Sequence, residues 1–149
     1  MSLEKIPKRL VVIGGGVIGL EMGSVYRRLG SEVTVIQYGD RLCPTMDFEI
    51  TAQFKKLLDK QGFKFLMKTK VVGGSGGPNG CKVIVESSEG GNQQTLDCDV
   101  ILVSVGRRAF TGGLSLEKAG LVADKQGKVE VNDHWETKVK GIYAIGDVI

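Results

Sequence analysis

The chain has 149 residues, enough for one domain with a real apolar core, and its 42% hydrophobic and 25% charged content is ordinary for a globular protein. Its net charge of +3 comes from 20 basic and 17 acidic residues spread along the chain, without the basic stripe expected of a nucleic-acid binder. No run approaches the roughly 20 apolar residues of a membrane helix, and the polar start, Met1 to Lys8, has no signal-peptide core, so neither nucleic acid nor membrane is expected as a partner.

In chain order, Arg9 to Ile13 reads as a buried parallel strand that runs into three glycines. Ile18, Met22, Val25 and Leu29 then recur as one helical face, closed by Gly30. Glu32 to Ile36 is a second strand. Asp47 is the expected N-cap of a helix with Ile50, Phe54 and Leu57 on one face, ending at Gly62, and Phe63 to Met67 is a third strand. Two successive crossovers of this kind build half of a doubly wound sheet.

The pattern then changes. Gly73 to Gly80 reads as an exposed hairpin tip between Lys70–Val72 and Lys82–Glu86, and a turn at Glu89 to Asn92 leads to Gln94–Cys98. Val100 to Val105 resumes the parallel sheet. A short helix at Leu114–Ala119, a short strand at Val129–Val131 and a last apolar strand at Ile142–Ile145 complete the reading. The fold class is α/β: a Rossmann-like parallel sheet with helices on it and an inserted antiparallel three-stranded meander.

Gly14-Gly15-Gly16-Val17-Ile18-Gly19 matches G-x-G-x-x-G directly after a strand and at the opening of a helix. Gly14 suits the tight turn, Gly16 lets the backbone approach a pyrophosphate, and Gly19 lets the helix pack on the sheet. The helix N-terminus then offers N–H groups and a positive dipole end to the phosphates. Glu21 falls just inside that helix. The acid expected at the end of the second strand is replaced by Gln37, which can hydrogen-bond a ribose but lacks the charge that repels a 2′-phosphate. Gly106, after a buried strand, suits a loop at the carboxyl edge of the sheet, and Asp147 reads as a strand-end carboxylate with no partner. Cys43, Cys81 and Cys98 form no C-x-x-C pair, and with His134 the only histidine a metal site is not expected.

Four blocks in order, VVIGGGVIGLEMGSVYRRLGSEVTVI, DKQGFKF, CDVILVSVGRR and TKVKGIYAIGDVI, resemble the central domain of the dihydrolipoamide dehydrogenase family of flavoprotein disulfide reductases, from about Ile6 onward. The resemblance implies NAD and FAD as cofactors, with hydride passing between flavin and nicotinamide. It implies that Gly14, Gly15, Gly16, Val17, Ile18, Gly19, Leu20 and Glu21 hold the pyrophosphate and approach the nicotinamide, and that Gln37 stands at the ribose. Val71 would flank the adenine, Gly106 would approach the nicotinamide side, and Asp147 would reach the FAD ribityl chain.

NADPH-using relatives carry arginines just after the second strand. Those positions are Tyr38 and Pro44 here, with Arg41 the nearest basic residue, and NAD is favoured. Ala109 departs from the family's usual proline. The family's earlier FAD motif, its C-x-x-x-x-C disulfide and its His-Glu pair are not in the sequence. Residues 1–149 are therefore read as an excised NAD-binding domain, inactive alone, with no catalytic residue of its own. The parent would be a mitochondrial-matrix homodimer serving lipoyl-bearing 2-oxo acid dehydrogenase complexes, a bacterial cytoplasmic enzyme being the alternative. A domain of an NADPH-dependent disulfide reductase and a stand-alone dinucleotide module are the other readings.

Overall fold

A computed structural model describes residues 3–78 and 80–149. Met1, and Asn79 of the expected hairpin tip, lie outside the described residues. The chain divides into two compact units, Met1–Gly106 and Arg107–Ile149.

In the first unit the strands β1 (Arg9–Ile13), β2 (Glu32–Ile36), β3 (Lys64–Leu66) and β7 (Val100–Val103) form a parallel sheet in the order β3-β2-β1-β7. Helix α1 (Val17–Arg28) joins β1 to β2, and α2 (Phe48–Lys60) joins β2 to β3. The strands β4 (Thr69–Gly77), β5 (Gly80–Ser87) and β6 (Gln94–Cys98) form the antiparallel meander between β3 and β7.

Burial on both faces explains why β1 is apolar from Leu10 to Ile13. Leu10 and Val12 enter one cluster with Leu20 of α1, Leu58 of α2, Val33, Val35 and Leu102. Val11 points the other way, into a second cluster with Ile36 and the meander residues Val83, Val85 and Cys98. The helices thus cover one face of the sheet and the meander covers the other. Each fully buried Val or Leu contributes about 1.5–3 kcal/mol, so both layers are needed to hold the strands.

Both helical faces differ from their expected positions. In α1 the buried residues are Gly19, Leu20 and Gly23, with Met22 and Tyr26 packed partly on the core, while Ile18, Val25 and Leu29 are exposed. The helix lies against the sheet on its glycines: a Cβ on Gly23 would come within 3.1 Å of the Phe63 ring. In α2 the buried residues are Thr51 and Leu58, with Phe54 partly buried, and Ile50 and Leu57 face out. Thr51 can turn inward because its hydroxyl donates to the Phe48 carbonyl at 3.0 Å. The expected cap is present, with Asp47 accepting from the Glu49 and Ile50 amides at 2.9 and 3.1 Å.

The expected glycine tip is strand for most of its length. β4 runs through Gly73, Gly74, Ser75 and Gly76 to Gly77 and pairs residue by residue with β5, with a register shift between Val71 and Gly73. Ladder bonds use the backbone alone, so a glycine run can pair once β5 supplies the partner. The seventh strand ends at Val103 rather than Val105, and Ser104 turns in toward β1.

The second unit holds none of its expected regular elements among the described residues. Leu114–Ala119 is a 3-10 turn over Leu116–Ala119, entered through Ser115 at φ 51 and left through Gly120 at φ 72. Left-handed residues on both sides leave too little chain to nucleate an α-helix. Val129–Val131 and Ile142–Ile145 make only isolated bridges, Ala123 to Val129, Val131 to Thr137 and Glu136 to Tyr143. Turns at Gly127 and Gly141, both at φ 81, interrupt the pairing before a ladder can extend.

Candidate functional site

The parallel sheet reverses its order at β1, which lies between β2 and β7. In open α/β sheets a crevice forms outside the carboxyl ends of the strands at such a point. The glycine turn sits there.

Three of its glycines have internal reasons. Gly14 has φ 104, and a Cβ there would fall 2.4 Å from the Ser104 carbonyl oxygen. A Cβ on Gly15 would meet Leu42 at 2.7 Å, and one on Gly19 would meet the Gly14 carbonyl at 2.4 Å and Ser104 Oγ at 2.5 Å. Gly16 is different. Its φ is −83, which any residue adopts, and nothing lies within 4 Å of a Cβ built on it. No contact in the described chain calls for glycine at this position.

Gly16 is also the N-cap of α1 and makes no side-chain cap bond. The first-turn amides of an α-helix have no intrahelical acceptor, and here no cap replaces one. The first turn carries no acid. Glu21 opens the second turn of the helix and is exposed. Val17 and Ile18 are exposed at the helix start, while Leu20 is buried in the core and holds the turn from below. Open space over Gly16, uncapped amides and a positive dipole end are what a pyrophosphate requires.

Gln37 is tied into the loop wall. Its Oε1 accepts from the Gly15 amide at 2.9 Å, and its Nε2 donates to the Arg41 carbonyl at 3.2 Å. The side chain joins the glycine turn to the segment after β2. Cys43 closes the same wall, donating its amide to the Gly15 carbonyl at 2.9 Å, and burial pushes its thiol up. The Arg41 guanidinium turns back onto the Pro44 carbonyl of its own loop, and Tyr38 is exposed.

The Gln37 carbonyl accepts from the Thr69 amide at 3.0 Å, which brings the start of β4, and Val71 two residues on, toward this end of β2. Val71 itself is half-buried against the meander-side cluster. Gly106 has φ 121 with open space around a built Cβ, so its backbone, not crowding, accounts for glycine.

Asp147 corrects an expectation. It lies in a 3-10 turn, Gly146–Val148, and its exposed carboxylate pairs with Arg107 of the same unit. The pair is solvated, and exposed pairs of this kind hold only weakly.

Ser104 and Leu42 were not singled out from the sequence. Ser104 Oγ donates to the Ile13 and Gly14 carbonyls at 3.0 and 3.2 Å and fixes the turn from the β7 side. A polar residue closing the apolar run of β7 was the available signal. Leu42 is buried under Gly15, and nothing in its loop marked it.

The chain is 57% identical over all of its length to dihydrolipoyl dehydrogenase 2, mitochondrial, of Arabidopsis thaliana. It is 55% identical, again over all of its length, to the mitochondrial dihydrolipoyl dehydrogenase of Pisum sativum. It spans 29% and 30% of the length of those relatives. Among solved structures, the HOCl-induced flavoprotein disulfide reductase RclA of Escherichia coli superposes with a TM-score of 0.86 at 29% identity, over 99% of this chain and 32% of that one. The model of the family described as pyridine nucleotide-disulphide oxidoreductase matches residues 1–149. With a glycine turn at the switch point of the sheet, and with that match over its whole length, the chain belongs to the pyridine nucleotide-disulphide oxidoreductase family.

Proposed function

We propose that residues 1–149 act as the NAD-binding domain of a dihydrolipoyl dehydrogenase, positioning nicotinamide for hydride transfer from reduced FAD while dihydrolipoyl groups are oxidised to lipoyl groups. The observation that carries this reading is Gly16, a glycine that the protein's own packing does not explain, at an uncapped helix N-terminus. NAD, when bound, supplies the ring that accepts the hydride. The chain's part is to bind and orient. The amides of Val17, Ile18 and Gly19 face the phosphates, Gly16 leaves the backbone bare for their approach, and the dipole of α1 favours their charge. Gln37 stands at the ribose end, Val71 flanks the adenine, and Gly106 and Glu21 line the way to the nicotinamide.

NAD rather than NADP is supported by the residues after β2. Arg41 is the nearby basic residue after β2, and it donates to its own loop instead. Asp147 is assigned to the FAD ribityl chain, its solvated pair with Arg107 being weak enough to exchange. The FAD-binding and dimerisation domains would come from the rest of a homodimeric parent. That parent would serve lipoyl-bearing 2-oxo acid dehydrogenase complexes in the mitochondrial matrix, a compartment supported by the names of both plant relatives. The three cysteines do not form the C-x-x-x-x-C couple of the family, so the chain alone should show no lipoyl turnover.

Parallel NADH and NADPH titrations, followed by nucleotide fluorescence, test the reading. NADH is expected to bind more tightly. Gly16→Val should leave the melting temperature within about 2 °C of wild type, because a Cβ there meets nothing within 4 Å, yet weaken NADH at least about tenfold by blocking the phosphates. Gln37→Glu should tighten NADH and weaken NADPH. A preference for NADPH, or unchanged NADH affinity in Gly16→Val, would overturn the assignment.

A further inference from the structure

Three cysteines that are scattered in the sequence do not stay scattered in the fold. Cys81, near the start of β5, and Cys98, at the end of β6, are direct partners in the antiparallel ladder. Opposed residues of antiparallel strands carry their side chains on one face, with Cα atoms about 4.5–5.5 Å apart. A disulfide closes over Cα separations of about 4.4–6.8 Å, so this pair could be bridged with little backbone movement. Cys98 belongs to the meander-side apolar cluster and Cys81 packs at its margin. The Cys81 thiol reaches across to the end of the partner strand, donating to the Asp99 carbonyl at 3.7 Å. Cys43 belongs to the other cluster, on the helix-covered face of the sheet.

The two thiols differ in access. Cys98 is 1% exposed and Cys81 is half-buried, and both line an open groove of about 460 Å³ together with the charged residues Arg9, Lys82 and Asp97. Burial pushes the Cys98 thiol up; the Cys81 sulfur adds to this and Arg9 opposes it. A buried, reluctant thiol is a poor first attacker, but it can resolve an intermediate formed on a sulfur beside it.

We propose that Cys81 and Cys98 form a dithiol–disulfide couple, a redox modification site with hydrogen peroxide as oxidant, Cys81 attacking and Cys98 resolving. The Cys81 thiolate attacks one peroxide oxygen and the O–O bond breaks. The departing hydroxide takes up the proton that Cys81 released and leaves as water, so Cys81 becomes a sulfenic acid. The Cys98 sulfur then attacks the Cys81 sulfur, the S–O bond breaks, and hydroxide leaves with the Cys98 proton as a second water. Two thiols have been oxidised to one disulfide and one peroxide reduced to two waters. The bond would pin β5 to β6 and close the loop between residues 81 and 98. Dithiols reverse it by exchange.

The test is peroxide treatment of the chain, alkylation of the remaining thiols without reduction, and intact-mass and peptide mass spectrometry. The expected product is lighter than the reduced chain by two hydrogens before alkylation and takes up one alkyl group, on Cys43, where the reduced and denatured chain takes up three. A Cys81–Cys98 cross-linked peptide should appear and vanish with dithiothreitol, and the oxidised form should melt roughly 5–10 °C higher. Cys98→Ser should stop at the sulfenic acid of Cys81, trapped by dimedone, while Cys43→Ser should form the disulfide as wild type does. Stable sulfinic acid on Cys81 with Cys98 still free in the wild type, oxidation of Cys43 ahead of the pair, or a disulfide only between two chains would each refute the couple.

Discussion

Residues Met1–Gly106 and Arg107–Ile149 are held together by different means. In the first unit, strand ladders and two helices satisfy the backbone, and Leu10, Val12, Val33 and Val35 are almost wholly removed from water. In the second, Leu121, Val129 and Thr137 are the buried residues among those described, and Phe110, Tyr143 and Ile145 are largely exposed. Side chains there do what ladders do in the first unit. Asp124 Oδ1 accepts from the Gln126 and Lys128 amides at 2.7 and 2.8 Å, and Asn132 Oδ1 accepts from the His134 and Glu136 amides at 2.9 and 3.0 Å. A segment that buries little apolar surface keeps its shape by closing turns with polar side chains, and its stability is correspondingly local.

The contrast can be broken most sharply at Gly14. Gly14→Ala forces a Cβ to within 2.4 Å of the Ser104 carbonyl at a φ of 104. A loss of about 3–5 kcal/mol is expected in urea unfolding. A loss below about 1 kcal/mol would mean the turn yields more easily than its packing implies.

A smaller effect is expected from Asp124→Ala, about 1–2 kcal/mol and confined to the second unit. Hydrogen exchange should show the Gln126 and Lys128 amides losing protection while those of β1 and β2 keep theirs. Equal loss in both places would contradict local stabilisation.

The smallest effect concerns acid. The Arg9 amide donates to Asp99 at 2.8 Å and, with the Arg9 side chain, holds that carboxyl below its ordinary 3.8. Lys70 and Gln93 do the same for Glu86. A carboxyl more acidic in the folded than in the unfolded state contributes stability above its unfolded pKa and loses it as pH falls through the folded value. Stability of the first unit should therefore hold between pH 7 and 5 and decline below about pH 4. In Asp99→Asn that decline should be shallower; an identical acid limb would exclude Asp99 as a contributor.

Much of the first unit was legible because its signals are local. A short apolar run into Gly14, an acid at Asp47 ahead of a helix and glycines after each helix state their geometry within a few residues. The helical faces were not, because apolar periodicity assumes that the apolar side packs. On α1 the sheet approaches the side with least side chain, Gly19 and Gly23, and leaves Ile18, Val25 and Leu29 outside. The glycines of β4 misled for a related reason: pairing depends on a partner strand, not on the paired residue. In the second unit the apolar runs at Val129 and Ile142 carried strand patterning, but a ladder needs length on both sides, and turns at Gly127 and Gly141 remove it.

The sequence by itself determined the α/β class, the parallel strands with their meander, the glycine turn at a strand end and the family resemblance. Those follow from the order and spacing of residues along the chain. Only the tertiary structure separated Gly16 from Gly14, Gly15 and Gly19, since whether a missing side chain leaves room for the protein or for a ligand depends on Ser104 and Leu42, far away in sequence. It alone gave Asp147 a partner in Arg107, occupied Gln37 with Gly15 and Arg41, and set Cys81 opposite Cys98. Apart from Gln37 with Arg41, four residues on in the same loop, those pairings join residues that no local pattern connects, and chain folding brings them together through the packing of other elements.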